Sequence, residues 1–338
     1  MLALVLIEYT AAPYHLDDRQ APPFYKMIAA DKNAQSVLEI PVFLNSSFAY
    51  IGSPDSDFIL YNQTVHQKKL FSGFFSRVPM KTFWSYRNLP IMRTLLMIAM
   101  GNNRYAELAR ASDSELAPYF LNLLGVDYVI VHRTLEYKTE PDINAALEEQ
   151  YLRSVLPMDR IYGDPWAVVY KTRHAPTDEI TIQASTAPSV LYFYDGWING
   201  LRDGAHKYAW ATGKESVLLA NLNPSTGYEL GLELKPYAAL ANLAVETGIN
   251  GEPFSSIALR QGWNSYKIRI PARLVEKGLN IIYLKPSQTA ATQMHFKGMP
   301  LLPNEPPFPD YWEQNNSKFD NPDISFALSS FTVSPERH

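Results

Sequence analysis

The pattern of apolar residues changes between residues 174 and 189. Before this segment, apolar stretches long enough for helices alternate with short apolar runs. After it, the chain contains short alternating runs that Gly, Pro and Asn interrupt. Alternating helices and strands are typical of an α/β domain, whereas regularly spaced short strands with turn signals are typical of a β-sandwich. The sequence therefore predicts an α/β or α+β domain over residues 23–174 and an antiparallel β-sandwich over residues 190–334.

The first domain is predicted to combine helices with buried strands. The helix that ends at Leu124 is predicted to begin at Ser112, because Ser112-x-x-Glu115 is a capping-box pattern and Gly125 is a typical helix end. The predicted helices cover residues 23–30, 89–100, 112–124 and 142–154. The predicted strands cover residues 36–43, 58–65, 126–132 and, as a hairpin, 155–162 and 167–172.

The second domain is predicted to consist of short strands joined by turns. Asn250-Gly251 is a hairpin signal. The run from Asp195 to Gly200 is predicted to be a tight turn, because it lacks the spaced acidic ligands of a calcium loop. A Pro-rich irregular excursion is predicted over residues 299–322. The predicted strands cover residues 190–194, 207–211, 215–221, 228–237, 242–247, 254–259, 264–271, 278–285 and 324–333.

Composition excludes several classes of function. The net charge is −4 and no basic stripe is present, which argues against nucleic acid as a partner. The chain contains no Cys, so disulfides, thiol catalysis and Cys-ligated metal sites are excluded. The 7 His residues are not paired at metal-ligand spacing. We therefore predict no metal site and no cofactor.

The N-terminus has a short apolar run, from Met1 to Ile7, that Glu8 ends. A membrane-spanning helix needs about 20 apolar residues, and a signal peptide needs a basic front and a longer apolar core. A first strand therefore fits this run, and the last turns of a membrane helix whose earlier part is missing are the alternative.

The segment of residues 61–79 has the densest group of polar side chains, interleaved with Phe. Because it follows a predicted strand, we expect a polar loop, which is a frequent place for binding residues. The binding candidates in it are Tyr61, Gln63, His66 and Arg77. His66 is the first choice among them, and a hydrogen bond that braces the loop is the alternative role.

No catalytic residue can be assigned from motifs. The sequence has no Gly-x-Ser-x-Gly elbow, no Ser-x-x-Lys motif and no phosphate-binding loop, and no pair of carboxylates stands out for acid–base chemistry. In the sandwich, Trp197, Trp210 and Trp263 are candidates for stacking on a sugar ring, with core packing as the alternative for each. Trp197 and Trp210 are the two that we predict as binding residues.

Three runs resemble the extracytoplasmic C-terminal region of bacterial GT-C type membrane glycosyltransferases, the dolichyl-phosphate-mannose mannosyltransferase-like proteins. The first is Val37-Leu38-Glu39-Ile40-Pro41 followed by Tyr61-x-Gln63-Thr64-Val65-His66 and Gly73-x-x-Ser76-Arg77. The second is the strand-like run from Leu124 to His132, and the third is Asp164-x-x-Ala167-Val168-Val169-Tyr170. The sandwich resembles the jelly-roll, carbohydrate-binding-like domain that some of these proteins carry, and residues 1–22 resemble the exit from their last membrane helix with a connector.

The resemblance implies a setting but no catalytic residue. It implies the cytoplasmic membrane with this region on the extracytoplasmic side, polyprenyl-phosphate sugars, and a membrane attachment through an N-terminal segment. In that family the catalytic acidic residues lie in the membrane-embedded part, which nothing in this chain matches.

Three functions remain open at this point. The first is an accessory region of a membrane glycosyltransferase that contacts carbohydrate, either an acceptor glycan or a lipid-linked sugar. The second is a free-standing glycan-binding protein without enzymatic activity. The third is a hydrolase centred on His66.

Overall fold

The computed structural model describes residues 21–46, 50–52, 57–75, 86, 88–134, 143–174, 179–204, 206–292, 295–296, 319–320 and 323–336. The apolar run at residues 1–7, Arg77 and nearly all of the Pro-rich segment 299–322 lie outside these residues. The helices are α1 (Pro23–Ala30), α2 (Asp57–His66), α3 (Met92–Ala99), α4 (Asn103–Leu124), α5 (Ile143–Val155) and α6 (Ser189–Tyr192).

The strands fall into two groups along the chain. Those before residue 174 are β1 (Ser36–Ile40), β2 (Phe43–Ser46), β3 (Tyr50–Gly52), β4 (Lys69–Leu70), β5 (Gly73–Phe75), β6 (Val126–His132), β7 (Met158–Gly163) and β8 (Ala167–Thr172). Those after it are β9 (Ile180–Gln183), β10 (Phe193–Asp195), β11 (Trp197–Asp203), β12 (His206–Thr212), β13 (Ser216–Leu222), β14 (Tyr228–Pro236), β15 (Ala244–Ile249), β16 (Glu252–Ala258), β17 (Asn264–Ile270), β18 (Gly278–Pro286), β19 (Ala290–Ala291), β20 (His295–Phe296), β21 (Phe319–Asp320) and β22 (Asp323–Pro335).

The first domain is built on a mixed sheet with the order β4-β1-β6-β8-β7. Strand β1 runs parallel to β4 and β6, and β8 and β7 continue the sheet antiparallel. Because side chains alternate along a strand, Val37 faces Phe24 and Tyr25 of α1, whereas Leu38 and Ile40 join the core that α3, α4 and α5 build on the opposite face. Helices therefore cover both faces, and the predicted α/β domain is confirmed.

The second domain is a sandwich of two antiparallel sheets. One has the order β10-β13-β18-β15-β16, and the other runs β11-β12-β22-β14-β17 with β9 and β19 also paired to β22. Strand β14 has a strict alternation of buried and partly exposed residues, which is typical of a sheet that packs on one face. Leu230 and Leu234 of β14, Leu218 of β13 and Phe326 of β22 are among the residues buried between the sheets. The predicted antiparallel β-sandwich is confirmed.

The two domains meet where α4 lies on the outer face of the sheet that contains β13 and β18. Asn221 of β13 donates a hydrogen bond from Nδ2 to the backbone oxygen of Asn122 at 2.7 Å, and a second, longer one to Gln35 at 3.3 Å. Buried side chains of α4 and of the sandwich belong to one continuous apolar core. One outer face of the sandwich is thus covered by the first domain.

The prediction of a strand at residues 58–65 is wrong, because the chain forms helix α2 there. Ile59, Asn62 and His66 are buried, while Tyr61 and Thr64 are exposed. This spacing of buried positions has the period of a helix rather than the period of two that a strand requires. The predicted polar loop at Tyr61 to His66 is wrong for the same reason.

The prediction that a helix begins at Ser112 is also wrong. Helix α4 begins at Asn103, and the Ser112 hydroxyl donates to the backbone oxygen of Ala109 inside the helix. Buried Tyr105 and Ala109 extend the apolar stripe of this helix ahead of Ser112. A Ser followed by Glu three residues later therefore lies in mid-helix here, because the apolar period continues through it.

Strands β9, β11 and β19 of the sandwich were not predicted, and the predicted strand at residues 190–194 is partly wrong. Strand β11 covers most of the run predicted as a tight turn. Gly196 precedes the strand at positive φ, and Gly200 lies at positive φ where the pairing with β12 shifts its register. A Cβ on Gly196 would lie 2.3 Å from the backbone oxygen of Glu215, so glycine is required by close packing of the backbone. Strand β9 lies in the segment predicted as a linker, and residues 189–192 form the short helix α6 before β10. Among the described residues, no helix is long and apolar enough to cross a membrane.

Candidate functional site

The candidates from residues 61–79 do not converge on one site. Tyr61 points outward from α2 and is 55% exposed. Gln63 donates from Nε2 to the backbone oxygen of Lys68 and so braces the end of the helix. Arg77 lies outside the described residues. Whether any of these residues binds a ligand stays a prediction. Helix α2 directs Tyr61 to the surface and His66 into the interior, so these two side chains do not share a site.

His66 is buried and meets three other polar side chains, which we call the acid–histidine cluster: Tyr25, Glu39, His66 and His132. Glu39 is at its centre. The Tyr25 hydroxyl donates to Glu39 Oε2 at 2.8 Å, and His132 Nε2 lies 2.7 Å from the same oxygen. His66 Nε2 faces the other oxygen, Oε1, at 3.6 Å. The cluster joins α1, β1, α2 and β6 by side chains that are distant in the sequence.

The neighbours of His66 determine which nitrogen carries the proton in its neutral ring. The backbone N–H of Lys68 donates to His66 Nδ1 at 3.0 Å, so in the neutral ring the proton sits on Nε2 and points towards Glu39. The distance of 3.6 Å to Glu39 Oε1 is longer than a hydrogen bond. Both atoms are buried, and neither has a hydrogen-bond partner among the described residues.

The cluster keeps Glu39 ionised. Burial raises the pKa of the Glu39 carboxyl, but the hydrogen bond with His132 and the approach of His66 outweigh burial, so the net pKa lies below its ordinary value. Burial together with the Glu39 carboxylate raises the pKa of the Tyr25 hydroxyl, which stays a hydrogen-bond donor. Within the described part of the chain, no group of three or more His, Asp or Glu is arranged to hold a metal ion.

The cluster offers no surface to a substrate. Tyr25 and Glu39 are 0% exposed, His66 is 1% exposed and His132 is 6% exposed. Ionised groups in such a place are retained when they are paired and hydrogen-bonded. The arrangement of His66 therefore favours the bracing role over a hydrolytic one.

The two tryptophan candidates of the sandwich lie in different environments. Trp197 lies between the sheets, with edge contacts to Phe193 and Phe326 and a hydrogen bond from Nε1 to the backbone oxygen of Val217 at 2.8 Å. A ring packed in this way has no free face for a sugar. Trp210 belongs to a separate cluster on the outward side of the other sheet.

The outward side of that sheet carries a continuous row of rings, which we call the aromatic surface: His206, Tyr208, Trp210, Tyr237 and Trp263. His206, Tyr208 and Trp210 lie at alternate positions of β12 and therefore share one face. Tyr237 follows β14, and Trp263 precedes β17. In this sheet, β22 lies between β12 and β14, and β17 follows β14. The end of β14 and the start of β17 therefore bring Tyr237 and Trp263 to the rings of β12.

Each ring of the aromatic surface contacts the next. His206 stacks on Trp263 with ring centroids 5.1 Å apart, and Trp263 lies 5.9 Å from Tyr208. Trp210 makes edge contacts with Tyr208 at 5.6 Å and with Tyr237 at 5.7 Å. Trp210 is only 9% exposed, so it supports the row from below, while Tyr208 and Trp263 are half-buried.

Charged side chains rim the aromatic surface. Lys235 Nζ lies 5.6 Å from the centre of the Trp263 ring and 2.9 Å from Asp203 Oδ2. Glu233 Oε1 lies 3.8 Å from His206 Nδ1. The indole N–H of Trp263 is buried without a hydrogen-bond partner in the described part of the chain. The surface thus combines ring faces with polar groups that can donate and accept.

The aromatic surface lies on the opposite side of the sandwich from the face on which α4 lies. Helix α4 packs on β13 and β18 of one sheet. In contrast, the described apolar residues that cluster with Trp210 all belong to strands of that sheet or to positions next to them. Rings that point outward from a sheet are the feature expected of an interaction surface.

Trp210 of the aromatic surface was among the predicted binding residues, and Trp263 was considered with it as a possible sugar contact. The signal for two others was present in the sequence, because His206, Tyr208 and Trp210 alternate along a strand that was predicted. Trp263 and Tyr237 come from the ends of other strands, and their position depends on the sheet order.

Comparisons with known proteins give weak likenesses. No protein-family model matches the sequence, and no curated protein matches it. A family 35 carbohydrate-binding module from Clostridium thermocellum is 13% identical, with 47% of this chain and 100% of that chain covered and a TM-score of 0.30. The C-terminal CBM6 of LamC, a laminarinase from Zobellia galactanivorans, is 8% identical, with 46% and 98% covered and a TM-score of 0.28. A CBM6 from Cellvibrio mixtus lichenase 5A in complex with cellotriose is 12% identical, with 47% and 98% covered and a TM-score of 0.26.

Proposed function

We propose that this chain binds carbohydrate through the aromatic surface of its sandwich. The observation that carries the proposal is the row of five adjoining rings on the outward side of a sheet. A sugar ring has an apolar C–H face and a rim of hydroxyls. Tyr and Trp suit such a ligand because they present apolar area with little loss of conformational entropy, and each also has a polar group.

The rim supplies the polar half of such a contact. Asp203 and Glu233 accept hydrogen bonds, and Lys235 donates them, at the edge of the rings. Charged partners make the stronger hydrogen bonds to a neutral hydroxyl. Binding through a few rings and one polar rim would be modest in affinity, because an open face buries less of a ligand than a closed pocket does.

The test is a titration of the chain with soluble oligosaccharides of glucose and mannose. Replacing Trp263 with Ala is expected to weaken binding by about tenfold or more, as at other aromatic contacts in an interface. The matched control is Trp166→Ala, because Trp166 is 63% exposed but lies in the first domain. Equal effects of the two substitutions, or no binding by the unsubstituted chain, would contradict the proposal.

We also propose that the chain is the extracytoplasmic region of a GT-C type membrane glycosyltransferase that uses polyprenyl-phosphate sugars. The support is the resemblance of the runs around Val37 to Pro41, Tyr61 to Arg77 and Leu124 to His132. In this setting the aromatic surface would hold the acceptor glycan, and a free-standing glycan-binding protein is the alternative. The DNA upstream of Met1 separates the two, because several hydrophobic spans in frame support the first and a directly preceding stop codon supports the second.

A further inference from the structure

The charges around the aromatic surface are arranged in pairs. Lys235 is bound to Asp203 at 2.9 Å, and His206 faces Glu233 at 3.8 Å. The ammonium of Lys235 lowers the pKa of the Asp203 carboxyl, so this pair is ionised at neutral pH. The carboxylates of Asp203 and Glu233 face the single ammonium of Lys235, so carboxylates outnumber ammonium groups at the rim and leave a surplus of negative charge there.

The other cations of the β11–β12 hairpin, Arg202 and Lys207, point to the opposite side of the sheet. In the β11–β12 register, Arg202 pairs with Lys207, one position out of phase with the pair Asp203 and His206. Successive side chains of a strand point to opposite faces, so Arg202 and Lys207 lie away from the rings. Near the rings, the described part of the chain therefore offers no cation without a carboxylate partner on this side of the sheet.

The remaining cation close to Trp263 in the sequence is Arg260. Its guanidinium lies 5.9 Å from the centre of the Tyr266 ring. Tyr266 is in phase with buried Ile268 and Ile270 along β17, which face the core. Arg260 thus lies against Tyr266, a ring that is out of phase with Trp263, and its recorded ring contact is not with the aromatic surface.

We propose that the aromatic surface selects neutral glycans and discriminates against glycans that carry carboxylates or sulfates. This inference rests on the proposed carbohydrate binding. A neutral glycan leaves the Lys235–Asp203 ion pair and the contact of His206 with Glu233 intact, and it uses their oxygens and nitrogens for hydrogen bonds. An anionic chain meets a surplus of negative charge, and like charges across an interface suppress binding of the wrong partner.

The test compares matched probes on the whole chain at low salt. Oligomers of mannose and glucose are the neutral probes, and oligomers of mannuronate and glucuronate, which differ by a carboxylate at C6, are the anionic probes. We expect the neutral oligomers to bind at least about tenfold more tightly. Equal or tighter binding of the uronates would overturn this inference but not the proposed function, and binding of neither class would overturn both.

Two substitutions test the charge argument directly. Asp203→Asn frees Lys235 beside the rings and is expected to raise the affinity for the uronates by about fivefold, with an effect that added salt removes. The control is Glu229→Gln, which frees Lys267 on the same sheet. Because Glu229 is six residues from Lys235 along β14, it lies about 20 Å from the rings. A gain of uronate binding in both variants, or in neither, would count against the inference.

Discussion

The acid–histidine cluster and the aromatic surface contain similar side chains in opposite surroundings. In the cluster, a carboxylate, two imidazoles and a phenol are buried under helices α1 and α2. In the aromatic surface, the rings point away from the core, and the side chain of His206 is 43% exposed. The residues with the most reactive chemistry are thus enclosed in one domain, and residues that usually belong in a core are displayed in the other. Burial and exposure, rather than residue type, indicate which of the two regions contacts a ligand.

The sharpest test of this comparison is a pair of tryptophans from the same sandwich. Trp197→Ala is expected to lower the free energy of unfolding by about 4 kcal/mol, because it removes a large ring from between the sheets. Trp263→Ala is expected to cost about 1 kcal/mol or less, because its ring is half-buried at the surface. Urea denaturation followed by far-UV circular dichroism gives both values. Similar losses would mean that Trp263 is a core residue and that the aromatic surface is packing.

Removal of the central carboxylate should have the next largest effect. Glu39→Ala is expected to lower the free energy of unfolding by about 3 kcal/mol, because buried donors of Tyr25 and His132 lose their acceptor. Glu39→Gln keeps an acceptor oxygen and nearly the same volume, so it should cost less. Denaturation measures both, and glycan titration is the control, since the aromatic surface lies in the other domain. An Ala variant as stable as the original chain would show that the cluster does not brace the fold.

The pH dependence of stability should separate the two regions further. The folded pKa of Glu39 is below its ordinary value of 4.5, so its contribution to stability is full above that value and is lost as pH falls through the folded pKa. The difference in unfolding free energy between the original chain and Glu39→Gln should therefore narrow as pH falls from about 5 to about 3. Denaturation at several pH values measures it, and a difference that grows towards acid pH would contradict an ionised Glu39.

The smallest effect is expected at Tyr61. Its side chain is 55% exposed on α2, and such surface positions usually change stability by less than about 0.5 kcal/mol. Tyr61→Ala should therefore leave both the denaturation midpoint and the glycan titration close to those of the original chain. A clear loss of glycan binding would show that carbohydrate also contacts the first domain.

Elements with a continuous or strictly alternating pattern were predictable from the sequence. Strand β6 was predicted with both of its ends, because its seven residues form a nearly continuous apolar run. Such a run suits a strand in a sheet that is covered on both faces. Most sandwich strands were predicted to within two residues or so, because turn residues bound them. Helix α2 was not, since four of its apolar residues are consecutive near its start, and such a run gives a weak helical period.

The two sites differed in how far the sequence could reveal them. Glu39 and His132 are 93 positions apart, and they meet because parallel pairing sets Glu39 beside Ile130, two residues before His132. No local pattern specifies that register. The alternation of His206, Tyr208 and Trp210 is local, but its importance depends on which outer face α4 covers, and that is a property of the folded molecule.

The position of α4 also determines how the chain would hold a polymer. Because this helix lies on one outer face of the sandwich, the proposed contact with a glycan is on the opposite face of each chain. Retention on a long glycan would then depend on how many chains engage it together. When several weak contacts are linked, each later contact becomes intramolecular, and overall avidity exceeds the single affinity by about 10²-fold or more. Dense display of the chain, rather than a tighter single contact, is the physical route to stable attachment.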